Sequence, residues 1–257
     1  MEPAPAGRVA AAEAAAAAGV LSNAALVDLY GAVMDDDAAQ AADNAVAQDL
    51  ATAYTDREAG GRLRAMRSLW SNDNPAPYAR LVLTARAAAR LPVAAGDDAG
   101  RLVASMLSAG LDRTAVRWRG AVEAGSDGWA MIALADPDAT APVPYAEVAG
   151  YAGGDARQRL LFAGLAGLGR LSADDVEQGA EALDVRIGIV NSWTRALDSA
   201  AAAGEQGTVV VLAAVGMQAA SWRGVPPEML YRILGALRAV GLGGEARMIA
   251  AEAITRS

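Results

Sequence analysis

The chain has 257 residues, of which 54% are hydrophobic but only 5% aromatic, and its formal net charge is −8. All 22 basic residues are arginine, and histidine, cysteine and lysine do not occur; disulfides, thiolate nucleophiles, Cys or His metal ligands, imidazole acid–base chemistry and Schiff bases are therefore excluded within this chain. The acidic balance disfavours nucleic acid and anionic lipid as principal partners.

With a single phenylalanine, the core must be built from Ala, Leu, Val and Met. Small side chains bring helices toward the short end of the usual ~8–10 Å interaxial range, and Ala, Leu, Arg, Met and Glu are the strongest helix formers. Residues 1–19 form an Ala-rich lead-in. Its alanines at 10–18 are interrupted by Glu13, which with the acidic Glu2 argues against a secretion signal. A single domain is expected over 20–257, with natural dividing points at 71–77 and 136–144.

Helical spacing then recurs along the chain. Leu26, Leu29, Tyr30, Val33 and Met34 lie on one helical face, as do Leu102, Val103, Met106, Leu107 and Leu111. Leu160, Leu161, Leu165 and Leu168 repeat the pattern, and so do Met229, Leu230, Ile233, Leu234, Leu237 and Val240. No segment sustains the alternation of a half-buried strand. Ser172-Ala-Asp-Asp175 reads as a capping box, and Asp98, Asp112 and Asp155 stand where N-caps are expected. Pro144 and Pro227 suit a first helical turn; Gly110, Gly125, Gly204 and Gly241 end helical runs. Loops are expected at 71–77, 136–144 and 222–227. The fold class is all-α: roughly 11–13 short antiparallel helices in hairpins, stacked as an α-solenoid-like or compact array.

A faint internal repeat accompanies these hairpins. Leu111-Asp112 leads to Trp118, a Gly125-x-x-Gly128 pair and the apolar run WAMIALA. Leu183-Asp184 leads to Trp193, Gly204-x-x-Gly207 and TVVVLAAVG. The run 208–216 is too short to span a bilayer, where ~20 apolar residues are required. Being apolar all round, it is expected to be a central helix enclosed by neighbours.

The stretches GEQGTVVVLAAVGMQ and GLGGEARMIAAEAITR resemble the C-terminal region of long, Ala-rich, uncharacterised helical proteins of alphaproteobacteria, over rather more than the C-terminal half of the chain. The resemblance implies a fragment with partner domains and a targeting signal upstream, and it implies no known activity. A complete chain would be cytoplasmic, a fragment periplasmic or envelope-associated. The hairpin at 226–256 is similar in size to one tetratricopeptide unit, although it lacks that family's Trp-x-x-Leu-Gly-x-x-Tyr signature and closing Pro.

Catalysis without His, Cys or Lys falls to carboxylates, and Glu147, Asp155, Asp174 and Asp175 are the candidates for a glycosidase-type pair. Each is better read as a cap or first-turn residue complementing a helix dipole. The Glu-Ser dipeptide of all-α lytic transglycosylases is absent. Asp35-Asp36-Asp37 and Asp136-Pro-Asp138 lack the spacing of a calcium loop and read as solvated turns. Gly164-x-x-Gly167-x-Gly169 falls within a helical pattern, which favours close packing over phosphate binding. Arginines cluster at Arg62, Arg64 and Arg67, at Arg86 and Arg90, and at Arg113, Arg117 and Arg119 around Trp118. The last group, with Trp222, forms the candidate binding set, since guanidinium and ring together hold acidic peptides or glycans. No catalytic residue, metal ligand set or cofactor is expected. The sequence reads as a non-enzymatic interaction or scaffolding module that binds a protein partner or itself, without a membrane span. The alternative is an envelope-associated glycan binder or carboxylate-based glycan hydrolase.

Overall fold

The computed structural model describes residues 7–36, 39–71, 77–219 and 221–257. Among the described residues the chain forms fifteen α-helices and one short 3₁₀ turn, with no strand. The number exceeds the expected range because 112–116 and 145–149 each fold as a separate five-residue helix. The chain divides into two compact units, Met1–Trp118 and Arg119–Ser257. The dividing point is neither of those expected. Residues 72–76 of the first lie outside the described residues, and 136–144 lies within the second unit.

The first unit contains α1 (Arg8–Ala17), α2 (Asn23–Met34), α3 (Ala41–Thr55), α4 (Ala59–Leu69), α5 (Pro77–Ala88), α6 (Ala99–Ser108) and α7 (Asp112–Val116). Sequence neighbours pair as hairpins, α2 with α3, α3 with α4 and α5 with α6, while α5 also touches α1, α2, α3 and α4. The composition of α5 explains its central place: Ala79, Val82, Leu83, Ala85, Ala87 and Ala88 are all buried. Thr84 of α5 and Ser105 of α6 are buried with them. Thr84 accepts from the Trp70 indole at 2.9 Å and lies 2.9 Å from the Ser105 hydroxyl, which donates to the Leu81 carbonyl at 2.8 Å.

The lead-in is helical as expected, but it is not separate. Glu13, the residue that interrupts its alanines, is 5% exposed. Its carboxylate accepts from Arg80 at 2.9 Å and from the Tyr30 hydroxyl at 2.7 Å, and the Arg80 guanidinium stands 5.4 Å from the centre of the Tyr30 ring. A buried charge is tolerable only with such partners; removing one of them costs about 3–5 kcal/mol. The triad thus pins α1 to α2 and α5.

The second unit contains α8 (Asp127–Ala135), α9 (Tyr145–Ala149), α10 (Asp155–Gly167), α11 (Ala173–Ala182), α12 (Ser192–Ala202), α13 (Gln206–Gly216), the 3₁₀ turn Trp222–Gly224, α14 (Pro227–Ala239) and α15 (Gly243–Arg256). Its first helix packs on its last: α8 lies against α15 and α10, and α10 against α14 and α15. Solenoid repeats touch only their neighbours in sequence, so this unit takes the compact arrangement.

Gly164 and Gly167 make that closure possible, as expected of glycines inside an apolar helix. A methyl group at Gly167 would stand 2.5 Å from the Tyr231 carbonyl oxygen, and one at Gly164 2.8 Å from Leu134. Around them Leu160, Leu161, Phe162 and Leu165 are fully or almost fully buried, each stabilising the unit by roughly 1.5–3 kcal/mol.

Capping departs in detail from expectation. Ser172 caps α11 by accepting from the Asp175 N–H at 3.1 Å. The Asp175 carboxylate accepts from the Ser172 hydroxyl at 2.6 Å and from the Tyr145 N–H at 2.9 Å, and these bonds hold its carboxyl below the usual range. Asp112 and Asp155 sit one residue inside their helices, after Leu111 and Gly154. Asp98 occupies the N-cap of α6 but turns its carboxylate to Arg67.

Two outcomes follow from this packing. Gly167→Ala should cost about 1–3 kcal/mol, because the clash is with backbone, whereas Gly31→Ala, in open space on α2, should gain up to about 1 kcal/mol from helix propensity; urea denaturation of both variants reads the contrast. The second outcome concerns pH. Burial, then a bond to a carboxylate, raises the phenols of Tyr30 (to Glu13) and Tyr151 (to Asp127), and burial raises that of Tyr54. The fold therefore holds the neutral phenol, so this contribution is complete below the unfolded value near 10 and is lost as pH rises beyond it. In a chain free of His, Cys and Lys, thermal stability should be flat from about pH 6 to 9 and fall above about pH 10. The fall should be shallower in the Tyr30→Phe and Tyr151→Phe variants.

Candidate functional site

In the second unit, α13 differs from every other apolar helix. It is a helix, as its spacing required, but it is not enclosed. Val209 and Ala213, one turn apart, are its only buried residues. Trp193 of α12 holds the same side: its indole donates to the Leu212 carbonyl at 3.1 Å, and its ring lies where a side chain at Gly216 would be, 2.5 Å from the position of a methyl group. Helices α12 and α14 cover that side. The opposite side carries Val210, Val211 and Val215, which are 46%, 63% and 50% exposed, together with exposed Gly207 and Ala214. Successive valines in a helix turn by about 100°, so three in a row cannot share one buried stripe. From Gln206 to Trp222 the chain has no charged residue.

The helix enclosed on all sides is α8, the counterpart of α13 in the faint repeat. Gly128 and every residue from Ala130 to Ala135 are buried there. The two apolar runs therefore occupy opposite environments, one at the centre of the unit and one at its edge.

The residues expected to bind are dispersed by comparison. Arg113 and Arg117 are exposed on and just beyond α7, while Trp118 is only 3% exposed; its ring has no free face for a ligand. Arg119 donates to the Asp136 carboxylate at 2.5 Å. Trp222 is half-buried in the 3₁₀ turn. Asp136 itself is a buried C-cap of α8 that also accepts from the Asp138 N–H at 2.8 Å, so the expected solvated turn is instead tied down. Asp37 of the other acidic run lies outside the described residues. Glu147, Asp155, Asp174 and Asp175 each occupy the first turn of a helix, where they complement its positive end. Among the described residues no cluster of three or more carboxylates could hold a metal ion, and no helix is long and apolar enough to cross a membrane.

A group of arginines not singled out from the sequence organises this unit. Arg170 donates to the carbonyls of Ala133 and Asp136 at the end of α8, Arg247 to that of Ala135 at 3.2 Å, and Arg238 to that of Gly167 at the end of α10, at 3.3 Å. Burial, opposed by Asp136 and reinforced by Arg247, Arg119 and Arg238, pulls the Arg170 guanidinium down to about 10. The signal available in advance was general: cations gather at the negative ends of helices. Arg232 plays a similar part, donating to Asp198 at 2.5 Å and to the Ile189 carbonyl at 3.1 Å, which ties the segment after α11 to α14. Cavities of about 120 and 370 Å³ flank it, the larger reaching Gly167, Tyr231 and Arg238.

Arg170→Met should expose the cost of two carbonyls left without donors, about 2–4 kcal/mol, with Arg170→Lys intermediate; chemical denaturation at neutral pH measures both. No known family model, curated protein or solved structure matches this chain.

Proposed function

We propose that the chain is a non-enzymatic interaction module of helical hairpins that docks a protein through the outer face of α13. One observation carries this reading: Val210, Val211 and Val215 stand together, 46–63% exposed, on a helix without charge. Apolar side chains scattered singly are ordinary on a surface, whereas a contiguous group marks a contact. Among the described residues the other large exposed apolar side chains are Met34, at the end of α2, and Val20, Val93 and Val190, each in a different connecting segment. The setting also favours binding over chemistry, since the carboxylates best suited to catalysis sit in helix first turns.

Val211→Arg tests the assignment, because it places a charge in the middle of the face without disturbing the buried side. Stability should change by no more than about 0.5 kcal/mol. Proteins retained by the immobilised wild-type chain, its own copies included, should be lost from the variant. Equal retention by both chains would overturn the reading.

A further inference from the structure

The cavity of about 370 Å³ between α10, α12 and α14 is lined by groups that the helix packing leaves unused. On α14, Tyr231, Gly235 and Arg238 follow at about one turn each and so lie on a single line of the helix. Gly235 stands inside that helix, where glycine is the least favourable residue after proline. Packing demands Gly167, whose methyl would strike the Tyr231 carbonyl, but it does not demand Gly235. Apart from its own helix, a methyl group there would meet only the Gly167 carbonyl oxygen, at 3.8 Å, an ordinary contact. It would otherwise project into the cavity that Gly235 lines. Gly235 therefore deepens a cavity whose volume falls in the range of small-molecule sites, ~300–1,000 Å³.

Two of the polar groups on its wall satisfy each other, since Arg232 donates to Asp198 at 2.5 Å. Two others do not. The Arg238 guanidinium lies over Gly169, where a side chain would collide with it, and gives Nη1 to the Gly167 carbonyl at 3.3 Å. It takes part in no ion pair among the described residues, and its Nε and Nη2 have no partner there. The Tyr231 hydroxyl likewise makes no hydrogen bond among the described residues. The charge of Arg238 adds to those of Arg119 and Arg247 around Arg170, which makes this corner locally positive in a chain of net charge −8.

A guanidinium fork and a phenol O–H are both donors, and together they suit an anionic oxygen group, carboxylate or phosphate. Ala166, Ile187, Ala201 and Ala236 make the rest of the wall apolar, which suits the body that carries such a group. We propose that the cavity between α10, α12 and α14 binds a small organic anion, its carboxylate or phosphate held by Arg238 and the Tyr231 hydroxyl and its apolar body lying over Gly235. This site is separate from the α13 face and does not rest on the reading of that face.

NMR titration of the full chain with benzoate, phenyl phosphate and the neutral benzamide tests it, since the three share one ring and differ in the head group. At least one anion should shift the amide resonances around Gly235 with a dissociation constant of about 1 mM or tighter. Benzamide should bind at least about tenfold more weakly. Tighter binding of benzoate assigns the head group as a carboxylate, and tighter binding of phenyl phosphate as a phosphate. Arg238→Gln should weaken the preferred anion about tenfold and Tyr231→Phe by less. Gly235→Leu should abolish binding by filling the cavity while leaving both donors in place, and Gly235→Ala should weaken it. Arg195→Gln, exposed on α12 outside the cavity, should change nothing. Val211→Arg should also bind as the wild type does, so failure here leaves the docking reading of α13 standing. Circular dichroism confirms that each variant is folded. No shift with either anion at about 10 mM, equal binding of benzamide, or binding that survives both Arg238→Gln and Gly235→Leu would overturn the site.

Discussion

The second unit depends on how closely α10 approaches its neighbours. Gly164 and Gly167 remove the side chains that would otherwise separate α10 from Leu134 and from the Tyr231 backbone, and an interior this poor in aromatic rings fills its volume by proximity of backbones rather than by bulk. Because α10 is drawn in from several sides, α8 is enclosed and α15 closes over it. The covering elements are then used up. Among the described residues no element of the unit covers the far side of α13, and the exposed valines follow from the same close packing that builds the core.

Charge is arranged around this packing in an economical way. Arginine is the sole cationic side chain, and several arginines are directed at backbone carbonyls rather than at carboxylates. Arg170, Arg238 and Arg247 close the ends of α8 and α10. A guanidinium presents several donors in a plane, so one side chain reaches two carbonyls where an ammonium would satisfy one direction at a time. In the first unit the same residue type serves a different purpose: Arg80, buried with Glu13 and Tyr30, fixes a helix of weak intrinsic packing power, since alanines alone offer little surface to bury.

Much of the local structure was legible. The periodic leucines became helices, although Met34 of the face expected on α2 is 50% exposed; Gly110, Gly204 and Gly241 took the left-handed conformations that end helical runs, whereas Gly125, also left-handed, lies in the turn before α8, and Gly164 with Gly167 served packing. Ser172 capped α11. The candidate site was far less legible. Trp118, flanked by arginines, looked like a binding platform, yet a large ring in a chain nearly free of phenylalanine is drawn inward. Asp136 looked like a turn residue, but the partner that neutralises it, Arg119, was classed with the ligand-binding arginines. Neither error could be repaired from spacing, since the contacts that decide them are made by residues distant in the chain or on the far side of a helix.

By itself the sequence determined that this chain is helical and where its helices break, because propensity, periodicity and glycine conformation act within a few residues. It also determined the chemistry closed to the chain, which follows from the residue types absent. Only the tertiary structure decided that WAMIALA lies at the centre and TVVVLAAVG at the edge. The two runs are equally apolar to inspection, and a helix that is apolar all round has no preferred side until its neighbours are in place. How many neighbours arrive depends on backbone approach between distant elements, set here by two glycines on α10, and that information is not carried within the helix it buries or leaves bare.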